Sequence, residues 1–273
     1  MDEYRAANRA NWDDRVPVHV ESREYGFRRF AADPERISAV VAFDSGRLGP
    51  VGGKRLLHLQ CHFGIDTLSW ARLGATVTGV DFSERAIAAA RRLSAESGVP
   101  GRFLVAELYD SPRVLQERFD VVYTGVGAIN WLPDIAAWAV VVSGFLEEGG
   151  TFMMREAHPV LQALDWREAD TDLVIRYPYF ETASPTRWEE PNTYAGEGVL
   201  EHPVHYEWNH GIGEVVAALL EAGLELRSLE EHRFLEWQGT PHMVLGSDGL
   251  WRLPAGQEDL VPLMYTVVAT RPG

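Results

Sequence analysis

The chain has 273 residues, 46% of them hydrophobic and 24% charged, which suits one large α/β domain of ordinary globular composition. A net charge of −15 argues against a nucleic-acid partner, because neutralising phosphates takes a basic stripe. Cys61 is the single cysteine, so an intrachain disulfide is excluded and a thiolate metal site is not expected.

Residues 3–15, EYRAANRANWDDR, read as a short leading helix carrying Tyr4, Asn8, Asn11 and Trp12. Residues 22–33 read as irregular, and Pro34 is suitably placed for the first turn of a helix over 35–43. A glycine-rich loop then leads to Leu56-Leu57-His58-Leu59, a run of the length of a buried strand. The turn Gln60-Cys61-His62-Phe63-Gly64 follows, then helical spacing through Ile65, Leu68 and Ala71, with Gly74 placed to end the helix in the left-handed conformation. A second strand, residues 76–80, ends on Asp81. Strand, tight turn, helix, strand and acid make one βαβ unit of a nucleotide-binding fold. Its ligand is expected across the carboxyl ends of the two strands, over the helix N-terminus, with Asp81 reaching for ribose hydroxyls.

Ser83 is a good N-cap for a helix running to about Glu96, and residues 102–106 form a third strand ending at Glu107. After a short helix over 112–117, Phe119 to Thr124 is the fourth strand, and Gly125-Val126-Gly127 lets backbone approach a ligand. A helix from Pro133 and Asp134 to Leu146 ends at Gly149-Gly150, and a fifth strand over 151–156 stops at Ala157-His158-Pro159. Residues 160–210 break the rhythm. They hold eight aromatics, Trp166 among them, and ten acids against three arginines, and read as an inserted cap of short strands and loops. Its charge fits either a solvated acidic surface or a field that draws in a cationic or neutral ligand. Residues 211–222 are a helix, and 224–229 and 260–269 are two closing strands.

Five alternations followed by helix, strand, long connection and strand imply a doubly wound, mostly parallel seven-stranded sheet. With the acid closing strand two, the chain from Lys54 onward resembles the class I S-adenosylmethionine-dependent methyltransferases. The resemblance implies a Rossmann-like methyltransferase fold whose last strand is antiparallel, between strands five and six. It divides one structural domain into a lid segment (1–53), a cofactor-binding core (54–159), a substrate cap (160–210) and the remainder of the sheet (211–273). It further implies S-adenosylmethionine as cofactor and in-line methyl transfer to an oxygen or nitrogen of a small aromatic or amine-bearing acceptor, in the cytoplasm. A homodimer through the cap is an open alternative to its use as a lid.

The turn departs from the family's acid-x-Gly-x-Gly-x-Gly pattern: His58 replaces the acid, and Gln60 and His62 replace two glycines. Gln60 and His62 can donate to the methionine carboxylate in place of backbone amides. Asp81 lies 17 residues after Gly64, at the family's spacing for the acid on the ribose. The resemblance places Trp12, Cys61, Gly64, Phe82, Glu107, Leu108, Thr124, Gly125 and Val126 with them around the cofactor. Trp131, Tyr206 and His210 fall on the acceptor side, and His158, at the end of strand five, is the expected general base. A dinucleotide dehydrogenase would want Gly-x-Gly-x-x-Gly under its pyrophosphate, which this turn lacks. His202, His205, Glu207 and His210 do not share a strand face, so no metal is expected. The eroded glycine turn leaves one alternative, a non-catalytic cofactor-binding protein.

Overall fold

The structure, a computed structural model, describes residues 2–165 and 173–273. Trp166 and the acids Glu168, Asp170 and Asp172 of the cap lie outside the described residues. The chain opens with α1 (Glu3–Glu21), α2 (Phe27–Ala32) and α3 (Ala39–Leu48), then enters the alternation with β1 (Arg55–Leu59), α4 (Ile65–Arg72) and β2 (Thr76–Asp81). It continues with α5 (Glu84–Ser97), β3 (Arg102–Val105), α6 (Ser111–Val114), β4 (Phe119–Thr124), α7 (Ile135–Phe145), β5 (Leu146–Ala157) and α8 (Pro159–Gln162). The cap carries β6 (Thr186–Glu189), β7 (Asn192–Thr193), β8 (Gly196–Val199) and β9 (Val204–Glu207). After α9 (Ile212–Glu221) come β10 (Glu225–His232), the small hairpin of β11 (Val244–Leu245) and β12 (Trp251–Arg252), and β13 (Met264–Thr270).

Seven strands form one sheet in the order β10-β13-β5-β4-β1-β2-β3, with β13 antiparallel to both neighbours. Helices cover both faces, which is why the central strands read as continuous apolar runs: Leu56, Leu57 and Leu59 are all fully buried. The order reverses beside β1, so the carboxyl ends of β1, β2 and β4 diverge around a crevice, where open α/β sheets bind ligands.

The N-terminal segment differs from expectation. Helix α1 runs six residues beyond 15, through Pro17. Proline deprives the Asp13 carbonyl of its helical donor, and Arg85 Nη1 donates to that carbonyl at 3.2 Å. Buried Val16, His19 and Val20 hold the last turn. The stretch expected to be irregular contains α2, whose Phe27 and Phe30 are buried against α5. Pro34 opens no helix. Instead Ser38, whose backbone N–H donates to Ser69 Oγ at 3.0 Å, caps α3 by accepting from the Val41 N–H. Strand β5 begins at Leu146, ahead of Gly149-Gly150, and the pairing of β4 with β5 shifts register between Phe119 and Val121.

The cap is two antiparallel pairs, β6 with β9 and β7 with β8. Side chains of α1 fasten it to the body. Asn8 donates to the Tyr206 carbonyl and accepts from its N–H, both at 2.7 Å, as a neighbouring strand would. Asn11 donates to the His202 carbonyl at 2.7 Å, and His19 Nε2 meets Thr193 Oγ1 at 2.6 Å. No helix among the described residues is long and apolar enough to cross a membrane.

Candidate active site

A cavity of about 520 Å³ lies at the carboxyl ends of β1, β2 and β4, within the usual size of small-molecule sites. At its centre is the β1–α4 turn. Gln60 and His62 take φ of +55° and +50°, the left-handed region that glycine adopts freely and that costs other residues roughly 1–2 kcal/mol each. The turn persists because its surroundings over-determine it. The Cys61 N–H donates to the Val80 carbonyl at 2.9 Å, and Gln60 Nε2 donates to the Ala128 carbonyl at 2.8 Å. The His62 ring packs on Trp12, His19, Tyr25 and Phe63. Gly64 is obligatory twice over: its φ is +81°, and a Cβ there would fall 2.8 Å from the Phe103 ring.

Asp81 ends β2 with its carboxylate at the cavity wall, 7% exposed. It accepts from the His62 N–H at 2.8 Å and the Ser83 N–H at 2.9 Å, so the acid also ties the turn to the start of α5. Burial pushes its carboxyl up to about 6, against these backbone donors. Glu107 accepts from the Tyr109 N–H and pairs with Arg5 of α1 at 3.2 Å, closing the β3 end. On the β4 side Gly125 is needed for close approach, since a Cβ would lie 3.2 Å from His58 Nε2. Glu156 organises the following turn by accepting from the backbone of Gly127, Ala128 and Ile129. Burial lowers the pKa of His58 to about 3 and holds that of His62 well below the usual histidine value, so both rings are neutral.

Trp12, Gln60, Cys61, His62, Gly64, Asp81, Phe82, Glu107, Leu108, Gly125, Val126 and Trp131 all line this cavity. Four expected site residues are not on its wall. His158 caps α8: its Nδ1 accepts from the Val160 N–H at 3.1 Å, and its Nε2 meets Glu231 at 2.9 Å. Both ring nitrogens are engaged in these bonds, and the ring expected to act as the base is not on the cavity wall. Tyr206 is drawn to the outside of the lid, its ring on Tyr4 at 4.8 Å. His210 is a buried strut, its Nε2 between the Ile129 and Leu132 carbonyls and its Nδ1 2.9 Å from Glu181. Thr124 is fully buried beneath the wall.

Several lining residues escaped the sequence reading, Arg5, Arg15, Asp66, His205 and Glu236 among them. Asp66 sits in the first turn of α4, where an acid ordinarily reads as a complement to the helix dipole. Here burial, together with the charges of Asp44 and Glu236, raises its carboxyl to about 6. Glu236 comes from the connection after β10 and is held by Arg155 of β5, whose Nε donates to Asp44 at 2.6 Å. No local signal marks a residue so distant in sequence.

The wall fits an adenosyl amino acid. Gln60 Oε1, His58 Nε2 and His62 Nε2 are buried without a protein partner, and their residues surround one cavity. Such orphaned polar atoms call for a polar ligand. An S-adenosylmethionine-dependent methyltransferase from Mesorhizobium loti shares the fold (TM-score 0.58, 23% identity, 85% of this chain and 99% of that one). So does the glycopeptide N-methyltransferase MtfA complexed with S-adenosylmethionine (TM-score 0.54, 20% identity, 85% and 92%). A ubiquinone biosynthesis O-methyltransferase from Sinorhizobium medicae is 26% identical over 218 residues, 75% of this chain and 86% of the relative. Residues 57–152 match a family described as a methyltransferase domain. The chain is a class I S-adenosylmethionine-dependent methyltransferase. The matched segment of this methyltransferase covers the turn, Asp81, Glu107 and the β4 loop, whereas the parts of the wall from α1, the cap and the connection after β10 lie outside it. Its relatives are named as enzymes, which disfavours the non-catalytic alternative.

Proposed function

We propose that the methyl group goes to an oxygen of a small aromatic acceptor held between the β4 turn, α1 and the cap. The observation that carries the reading is one cavity in which a buried acid, Asp81, faces unpartnered polar atoms of the β1 turn beneath an aromatic lid. Trp12 stands edge-on to Trp131 at 5.2 Å, and the His205 ring lies 5.3 Å from Trp131. Flat apolar faces of this kind favour an aromatic acceptor. The relatives named for ubiquinone biosynthesis are O-methyltransferases, which supports oxygen.

S-adenosylmethionine, when bound, supplies an electrophilic methyl group, and the residues do the positioning. Asp81 is assigned to the ribose, since a carboxylate accepts from two vicinal hydroxyls at once. Glu107 and Leu108 are assigned to adenine. Gln60, Cys61, His62, Gly64, Phe82, Gly125 and Val126 are assigned to the remainder, and Trp12 closes over it. Asp66 replaces His158 as the proton acceptor. It is on the wall, its Oδ2 lies 3.8 Å from where a Cβ on Gly125 would be, and its carboxyl titrates near neutrality, where a general base is most effective.

The test is transfer of a trideuteromethyl group from labelled S-adenosylmethionine to a panel of phenols, catechols, arylamines and alkylamines, read by mass spectrometry. Label on a phenolic oxygen is expected. Label confined to nitrogen overturns the oxygen assignment, and no label on any acceptor by enzyme that binds S-adenosylhomocysteine overturns the acceptor class.

A further inference from the structure

Arg15 is the most anomalous charge in the molecule. It lies on α1, is 3% exposed, and borders the cavity. Its guanidinium rests against an edge-to-face pair of indoles, 5.6 Å from the Trp12 ring and 5.7 Å from the Trp131 ring. Among the described residues its single hydrogen bond runs from Nε to Asn11 Oδ1 at 2.7 Å, and no carboxylate pairs with it. The other cavity arginine of α1, Arg5, has both Asp2 and Glu107. A guanidinium cannot shed its proton to escape burial, as a lysine or histidine does. Cation–π contact offsets roughly 0.5–2 kcal/mol per ring, less than removing an unpaired charge from water costs.

The groups around Arg15 give it no counter-charge. His19 and His62 are neutral in this setting, their pKa values driven down chiefly by burial, with the Arg15 charge adding to it. Tyr25 and Tyr194, whose hydroxyls meet at 2.5 Å, are neutral phenols at physiological pH. A planar five-donor fork packed against two indoles, bordering a ligand cavity and engaged through Nε alone among the described residues, suits a two-oxygen anion.

We propose that Arg15 is the anion-binding residue of this cavity and that its partner is a carboxylate carried by a bound ligand. The inference rests on the methyltransferase reading of the site, and two ligands could bring the group: the amino-acid end of the adenosyl ligand, or an acidic substituent on the acceptor. The missing partner of Arg15 is then the ligand itself. The fold tolerates the uncompensated charge until the ligand neutralises it.

Isothermal titration of wild type, Arg15→Gln and Arg15→Lys separates the possibilities. The ligands are S-adenosylhomocysteine, 5′-methylthioadenosine (no carboxylate), and, on protein saturated with S-adenosylhomocysteine, benzoate against benzamide. Losing a charge-assisted hydrogen bond weakens binding by about tenfold to a hundredfold. A loss of that size in Arg15→Gln for S-adenosylhomocysteine but not 5′-methylthioadenosine, partly restored in Arg15→Lys, assigns the carboxylate to the adenosyl ligand. The same loss for benzoate but not benzamide assigns it to the acceptor. Thermal melts give a second readout: without ligand, Arg15→Gln should be no less stable than wild type, and the stabilisation by the carboxylate ligand should shrink. Unchanged affinities in Arg15→Gln, or an equal loss for ligands with and without the carboxylate, overturn the proposal. Failure of wild type to bind either adenosyl ligand would instead overturn the reading of the site.

Discussion

Replacing Asp81 by asparagine should separate its binding role from its cost to the fold. The carboxyl is buried and its pKa rises from 3.8 to about 6, a shift of about 3 kcal/mol between protonation states. The folded chain therefore holds this proton more tightly than the unfolded one. The stabilisation is fully present below about pH 4 and is lost as pH rises through about 6. The asparagine side chain does not titrate. Its one carbonyl oxygen cannot serve both the His62 and Ser83 N–H groups, a penalty of about 1–3 kcal/mol that is the same at every pH. Denaturant unfolding of both proteins at several pH values cancels that constant term. The stability of Asp81→Asn relative to wild type should climb by up to about 3 kcal/mol between about pH 4 and about pH 7. At neutral pH the same variant should bind S-adenosylhomocysteine about tenfold to a hundredfold more weakly, through loss of charge and of one acceptor. A stability difference that is flat with pH, or an undiminished affinity, refutes the assignment of Asp81 as a carboxylate kept ionised for its ligand.

His62→Ala loses the ring contacts but keeps the left-handed backbone, whereas His62→Gly loses both contacts and strain; glycine should be the more stable by about 1 kcal/mol in denaturant unfolding. Arg155→Met strands the buried Asp44 carboxylate, which also accepts from Tyr123 at 2.6 Å, and should cost about 3–5 kcal/mol by the same measurement. His158→Ala should leave kcat within about threefold of wild type while removing about 1 kcal/mol of stability through the lost helix cap, since the ring is not on the cavity wall. Asp66→Asn, in contrast, should lower kcat by about a hundredfold or more and abolish the acidic limb of the pH–rate profile near the titration of Asp66 at about 6. If that limb survives in the variant, the base lies elsewhere.

Much of the scaffold was legible because it is encoded locally. The run Leu56 to Leu59, the caps Ser83 and Asp134, and the left-handed Gly74 each announce an element boundary through their own chemistry. Asp81 was legible too, because the end of β2 is a fixed distance along the chain from the β1 turn. The turn itself shows the limit. Gln60 and His62 look unsuited to positive φ, and only the acceptors and rings contributed by α1, β2 and the β4 loop explain why they adopt it. Helix α1 overran Pro17 for a similar reason: its lost hydrogen bond is made good by Arg85, 68 positions further on.

What the sequence alone determined is therefore the order of elements, the sheet they build and the corner where the cavity opens, all of which follow from spacing within βαβ units. Only the tertiary structure decided which titratable groups face the cavity. His158 and His210 turn away into hydrogen bonds of the frame, while Arg15, Asp66 and Glu236 converge from segments far apart in the chain. Burial and charge are sums over neighbours in space, and those neighbours are chosen by packing rather than by position along the chain.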